Sequence, residues 1–558
     1  MVNLFRQFKD NTYNSIQKCY GLMATAELEE MGLLKLVRYP QLALRGRGSL
    51  VAVIDTGVNL GSPLFLYENG TSKVAALWDQ NDSGGPAPEG FSYGREWTRE
   101  EISRALSMSE EAGISETAGI PEPAEIPEGV GIPEGAGIPE TAEIPEGAAP
   151  MGRRSVLPTD EEGHGSFLAA IAAGREDAAS GFMGAAPDSD LLIVKLRQAD
   201  PYFRDYYSIP ENVWACQEED VIHGIQYVLE AGRKMNRPVS ICLGIGTNMG
   251  GHDGTAALDR FISETSLMTG ISVHVPAGNE EISAHHFHGI IEEGKPYTSV
   301  NFNVADKENG FVMELWGRPP FIYTVSFTSP GGENVDRLQL KQGELRRVEF
   351  FPEETILEIQ SFLGESISGD QVIRMRFINP APGAWQLRVH PDPAGGRQPF
   401  DLWMPISNFL RDETFFLNAS ADETVTSPGN AVYSITYTPY DINNNSLYLR
   451  AGRGFTRDGR VKPDLAAPGV SVSVPSDIPG GRPVTRSGSS IAAAYGAGLG
   501  ALVGEWAIVK GNDPYYNGQK LRYYLIQGAE RTGAFQYPNR EWGYGMVNIY
   551  NAFLSLRR

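Results

Sequence analysis

Cysteine is nearly missing: Cys19, Cys216 and Cys242 are the only three in 558 residues, widely spaced and without a Cys-x-x-Cys pair. That count points to neither a disulfide framework nor a zinc knuckle. Positive charge is also scarce, with 47 Lys and Arg against 69 Asp and Glu for a formal net charge of -22. Phosphate binding needs clustered basic side chains, so nucleic acid is not an expected partner. The opening MVNLFRQFKDNTYNSIQ has no apolar stretch behind its basic residues, so no secretory signal is visible. The longest uncharged run, Ser487 to Gly504, approaches membrane-spanning length but consists largely of Gly, Ala and Ser. It reads as a buried central helix, and no membrane span is expected.

What is present is ordinary for a soluble protein: 41% hydrophobic and 21% charged residues, in a chain long enough for two or three packed units. Four short apolar runs bounded by turn residues, at 48–57, 189–196, 237–246 and 270–279, read as buried strands. Between two of them, Ile222, Ile225, Val228 and Leu229 recur at helical spacing. Strand, helix, strand at these lengths predicts parallel pairing and an α/β fold.

Two textures interrupt that pattern. From 104 to 151 an Ile-Pro-Glu repeat holds ten glutamates and no basic residue between Arg104 and Arg153. Each proline removes a donor and each isoleucine stands alone, so a disordered acidic surface loop is expected. From 296 to 450 alternating runs such as FIYTVSF and WQLRVH, separated by Pro-Gly turns, predict an inserted antiparallel β-sandwich. The expected organisation is therefore an α/β unit in two parts, 1–295 and 451–558, flanking an insertion at 296–450.

Three stretches carry candidate chemistry. VAVIDTGVN ends a strand on Asp55, where open α/β sheets place their sites, although a strand-end aspartate also serves as a cap or turn former. GHGSFLAAIAAG sets His164 between two glycines at the start of an Ala-rich helix, where bare backbone permits close approach. SGSSIAAAYGAG puts Ser490 in the first turn of the buried helix, where unpaired N–H groups and the helix dipole favour a nucleophile, while Ser487 and Ser489 read as caps. The order Asp, His, Ser is that of subtilisin and not of chymotrypsin or the α/β-hydrolases.

These three motifs resemble those of the subtilisin-like serine proteases (subtilases). The resemblance implies a triad of Asp55, His164 and Ser490. It maps the oxyanion-hole asparagine to Asn279 in VPAGNE and the substrate-binding strand to Cys242, Leu243 and Gly244. The family's usual Gly-Thr-Ser-Met-Ala-x-Pro becomes Gly488-Ser489-Ser490-Ile491-Ala492-Ala493-Ala494, which removes no catalytic group. KVAALWDQ, CLGIGTNMGGHDG, GRGFTRDGRVKPDLAAPG and a β insertion between Asn279 and Ser490 are most similar to the Csp branch, clostridial proteases of spore germination whose insertion is a jelly roll.

The resemblance implies a subtilisin-like parallel sheet flanked by helices with an inserted jelly roll, acting as a serine endopeptidase on protein or peptide substrates. The alternative is a catalytically weak or inactive member that binds a partner and regulates it. An extracellular or spore-associated location is implied. Family members begin with a prodomain; Asp55 comes too early for one, so a prodomain is expected to be absent from this chain. No cofactor is expected. The histidines of HHFH at 285–288 match no standard metal-ligand spacing and read as a polar loop near the active-site rim. Cys242 reads as a small buried hydrophobe rather than a reactive thiol.

Overall fold

The computed structural model describes residues 17–22, 31, 43–111, 157–393, 395–477 and 481–556. Its central sheet has seven parallel strands: six run in the order Ile435–Asp441, Ile271–Pro276, Val239–Leu243, Leu50–Asp55, Asp190–Lys195 and Val74–Asp79, and Leu465–Pro468 pairs alongside Ile435–Asp441. Antiparallel strands Arg95–Thr98 and Ser446–Leu447 flank it at the two ends. The four apolar runs picked from sequence all contribute strands.

Because side chains alternate along a strand, the Leu50–Asp55 strand feeds two cores. Leu50, Ala52 and Ile54 pack with Ile222, Ile225 and Val228 of helix Glu218–Met235 on one face. Val51 and Val53 pack on the other face with helices His164–Ala173 and Ser489–Gly504. Asp55 continues the parity of Val51 and Val53, so it emerges on the side that carries those two helices. Both are rich in Ala and Gly, which lets them approach closely: a methyl group on Gly498 would lie 2.7 Å from the Ala172 carbonyl oxygen. The apolar Ser489–Gly504 run is buried throughout, as a core helix should be.

The insertion forms two antiparallel sheets. One has six strands, from His286–Ile291 through Gln398–Trp403, Gly310–Gly317, Gln371–Ile378 and Thr355–Phe362 to Leu345–Phe350. The other has five, including Tyr323–Thr328, Gly383–Pro391 and Thr298–Val304. Phe302, Phe311, Phe377, Trp385 and Leu387 draw both into one core. The outer face of the six-stranded sheet presents Trp316 and Trp403 to Met249 and Ala215 of the main body. Burying each such side chain contributes roughly 1.5–3 kcal/mol.

Two expectations shift. The sandwich strands run from His286 to Phe416, not 296 to 450, because His286–Ile291 pairs with Gln398–Trp403 while Ile435–Asp441 joins the central sheet. Residues 104–111, expected in the acidic loop, end a helix spanning Arg99–Glu111, whose first turn carries Glu100 and Glu101 where a helix dipole favours acid. The Ile-Pro-Glu repeat itself lies outside the described residues.

Candidate active site

The site forms where the two Ala-rich helices start. Gly163 caps the first helix in a left-handed conformation, φ 67°. Gly165 packs so tightly that a methyl group on it would lie 2.2 Å from the Gly57 carbonyl oxygen. This is the close backbone approach that the Gly-His-Gly pattern implied. His164 is thereby set over Asp55, with Nδ1 2.7 Å from Asp55 Oδ1 and Nε2 3.2 Å from Ser490 Oγ. Asp55 Oδ1 also accepts the Thr56 backbone N–H at 2.8 Å. All three side chains are buried.

An acceptor-only carboxylate at Nδ1 requires that nitrogen to carry the proton, which leaves the Nε2 lone pair for the Ser490 hydroxyl. Of the three neighbouring serines, only Ser490 meets the imidazole. Ser489 Oγ accepts the Gly278 N–H at 3.1 Å and Ser487 Oγ accepts the Ser471 N–H at 3.2 Å. Neither caps the helix, whose N-cap is Gly488, so the capping role expected of them is replaced by ties to neighbouring loops.

Half-buried Asn279 lies beside the nucleophile: its Oδ1 accepts the Ser489 N–H at 3.1 Å, which makes Nδ2 its donor end. Cys242 and Leu243 are interior sheet residues, paired with Val53 and Ile54 on one side, with buried side chains. Burial, reinforced by the charge of Asp55, pushes the Cys242 thiol well up, so it stays protonated. Gly244 touches the triad directly, since a methyl group on it would sit 2.5 Å from Asp55 Oδ2.

Peptide pairing is seen one step further on. Ile245–Gly246 pairs antiparallel with Cys19–Leu22, Leu22 opposite Ile245 and Gly21 opposite Gly246, while the same segment pairs with Cys216–Gln217 on its other side. Rising numbers on this N-terminal segment run toward Gly244 and the triad. A segment from the chain's own N-terminus thus lies as the middle strand of three.

Sequence reasoning missed Asp160. Its Oδ1 accepts from Thr56 Oγ1 at 2.7 Å and from the Gly163 N–H at 3.0 Å, and its Oδ2 accepts the Ser166 N–H and Oγ, both at 2.7 Å. It ties the Asp55 loop to the helix that carries His164. The one available signal was an acidic residue shortly before a helix start.

A hydroxyl, an imidazole and a carboxylate in hydrogen-bonded series, at the helix-start end of a parallel α/β sheet, define a serine hydrolase-type site. The subtilase family profile (Peptidase_S8) matches residues 46–301 and 408–545, and the chain belongs to that family of serine peptidases. The interruption in the match falls within the inserted sandwich. The fold is similar to that of the Clostridium perfringens CspB protease, 23% identical, with 95% of this chain and 97% of that one covered at a TM-score of 0.76. More distant likenesses include MycP1 from Mycobacterium smegmatis, 14% identical over 96% of this chain and 89% of that one at a TM-score of 0.37. The prenylagaramide maturation protease PagA is 13% identical over 94% of this chain and 98% of that one, at 0.42. Comparison with curated protein sequences gives no match.

Proposed function

We propose that this chain is a serine endopeptidase working through Asp55, His164 and Ser490. The observation that carries the reading is the unbroken hydrogen-bond series, 2.7 Å from Asp55 to His164 and 3.2 Å from His164 to Ser490. Ser490 Oγ attacks the scissile carbonyl carbon as its proton passes to His164 Nε2, and Asp55 holds the imidazolium through Nδ1–H. The carbonyl oxygen, now an oxyanion, is met by Asn279 Nδ2 and the Ser490 N–H, each such donor being worth roughly a hundredfold in rate. His164 then gives the proton to the leaving amine as the C–N bond breaks. Water, deprotonated by the same nitrogen, releases the acyl group and restores Ser490.

Substrate binds in this reading as an added antiparallel strand along Gly244–Gly246, in the place that Cys19–Leu22 takes, so backbone hydrogen bonds supply affinity with little sequence selectivity. The N-terminal segment therefore competes with substrate. The resemblance to the Csp branch supports a finer proposal: activation of a protein precursor during spore germination, at an extracellular or spore-associated location. Incubation with an unfolded protein, followed by mass spectrometry of the products, tests the activity. Internal peptide-bond cleavage is expected; an intact substrate with tight partner binding would instead establish a non-cleaving regulator.

A further inference from the structure

Outside the triad, chemistry concentrates where the six-stranded sheet meets the subtilase body. His286 and His288 are alternate residues of one strand and share a face, with His288 opposite Asp401 and His286 opposite Trp403 across the ladder. The intervening Phe287 enters the sandwich core, so this is the outer face. The segment expected to be a polar loop is thus a strand with buried His286. Glu423 arrives from the connection leading back to the central sheet, at a left-handed φ of 60°.

Ligand atoms of His286, Asp401 and Glu423 lie within 4.8 Å of one another. His286 Nδ1 lies 2.6 Å from the Asp422 carbonyl oxygen, an acceptor, so Nδ1 carries a proton. Its ring is held flat against Trp403, centroids 4.7 Å apart, and Trp403 stacks in turn on His252 at 4.2 Å. Nε2 then faces Asp401 Oδ1 at 3.3 Å. Two lone pairs cannot face each other there without a proton or a cation between them. The separation matches the edge between two ligands bound at about 2.0–2.2 Å to a tetrahedral ion.

Glu423 supplies an independent sign. Its Oε2 is buried with no hydrogen-bond partner among the described residues, beside the buried Asp401 carboxylate. Arg457, beside the cluster, is tied to Asp253 and Asp370. His288 adds an imidazole at the rim, Nδ1 2.7 Å from Asp401 Oδ1.

We propose that His286, Asp401 and Glu423 form a binding site for a first-row transition ion of the zinc class, which fastens the inserted β unit to the subtilase body. Mixed imidazole and carboxylate donors suit zinc or cobalt rather than calcium or magnesium. The Asp422 carbonyl is the outer partner that orients the imidazole.

The test uses the untagged full chain, stripped with chelator and titrated with Co²⁺ and Zn²⁺ by visible absorption and calorimetry. One saturable equivalent is expected, with a rise in melting temperature on Zn²⁺ addition. Glu423→Gln, nearly isosteric, is expected to weaken binding at least tenfold while leaving the metal-free circular dichroism unchanged. X-ray absorption of the zinc-loaded wild type requires no variant: a nitrogen and oxygen shell with imidazole scattering is expected. Absence of saturable binding, equal affinity in a folded Glu423→Gln protein, or sulfur in the shell would each overturn the proposal.

Discussion

Gly244 stands directly against Asp55: a methyl group on it would fall 2.5 Å from Asp55 Oδ2 and 2.8 Å from His164 Cε1. The bareness of this position lets the carboxylate and the imidazole keep their 2.7 Å bond. Gly244→Ala is accordingly expected to lower kcat/KM about a hundredfold, the scale of loss for a misplacement of an ångström or so at a catalytic group. Steady-state kinetics beside a circular dichroism spectrum checks this, since the fold should survive a single added methyl.

The N-terminal strand Cys19–Leu22 should behave as an internal competitor. Gly21→Pro removes an amide from a strand paired on both sides and should raise the rate of cleavage of an added peptide. Equal rates in the two proteins, both folded, would mean that the segment does not obstruct the groove.

Lys73 is buried, and its ammonium donates to the Ala173 and Pro187 carbonyl oxygens, each at 2.5 Å. Desolvation lowers it from 10.5 to about 7. Between those values the unfolded chain binds more protons than the native one, so this group makes stability rise with pH across that window. Its slope is at most about 1.4 kcal/mol per pH unit. Urea unfolding at several pH values should show that slope in the wild type and a shallower one in Lys73→Met.

Asp464 is buried between two cations, with Lys462 Nζ 2.8 Å from Oδ2 and Arg522 Nε 2.6 Å from Oδ1. Removing its charge leaves Lys462 buried and uncompensated, a cost of about 3–5 kcal/mol. Asp464→Asn should therefore show a large loss in denaturant midpoint with the triad chemistry otherwise untouched.

Asp55, His164 and Ser490 were legible because each sits in a local pattern with its own physical meaning: a buried strand ending on acid, a histidine between glycines, a serine opening an apolar helix. Their convergence was not local, and only strand parity and helix packing bring them together. Asp160 escaped notice because its role lies in four contacts across a loop rather than in any spacing. Asp401 and Glu423 lie more than a hundred residues beyond His286, so strand pairing and the connection back to the central sheet, not any local pattern, bring them together. The sandwich boundary was misplaced for a related reason: His-Phe-His-Gly reads as polar loop until its pairing partner is known. Cys19–Leu22 is too short to announce itself as a strand, and its pairing depends wholly on the two segments beside it.

The account rests on Ser490 being the nucleophile that His164 activates. Labelling of the purified chain, and of its Ser490→Ala, Ser489→Ala and His164→Ala forms, with a fluorophosphonate probe tests this most directly. Labelling is expected in the wild type and in Ser489→Ala, and should vanish in Ser490→Ala and fall by orders of magnitude in His164→Ala. Labelling that persists in Ser490→Ala, or that is absent from the folded wild type after the N-terminal strand has been displaced, would contradict it.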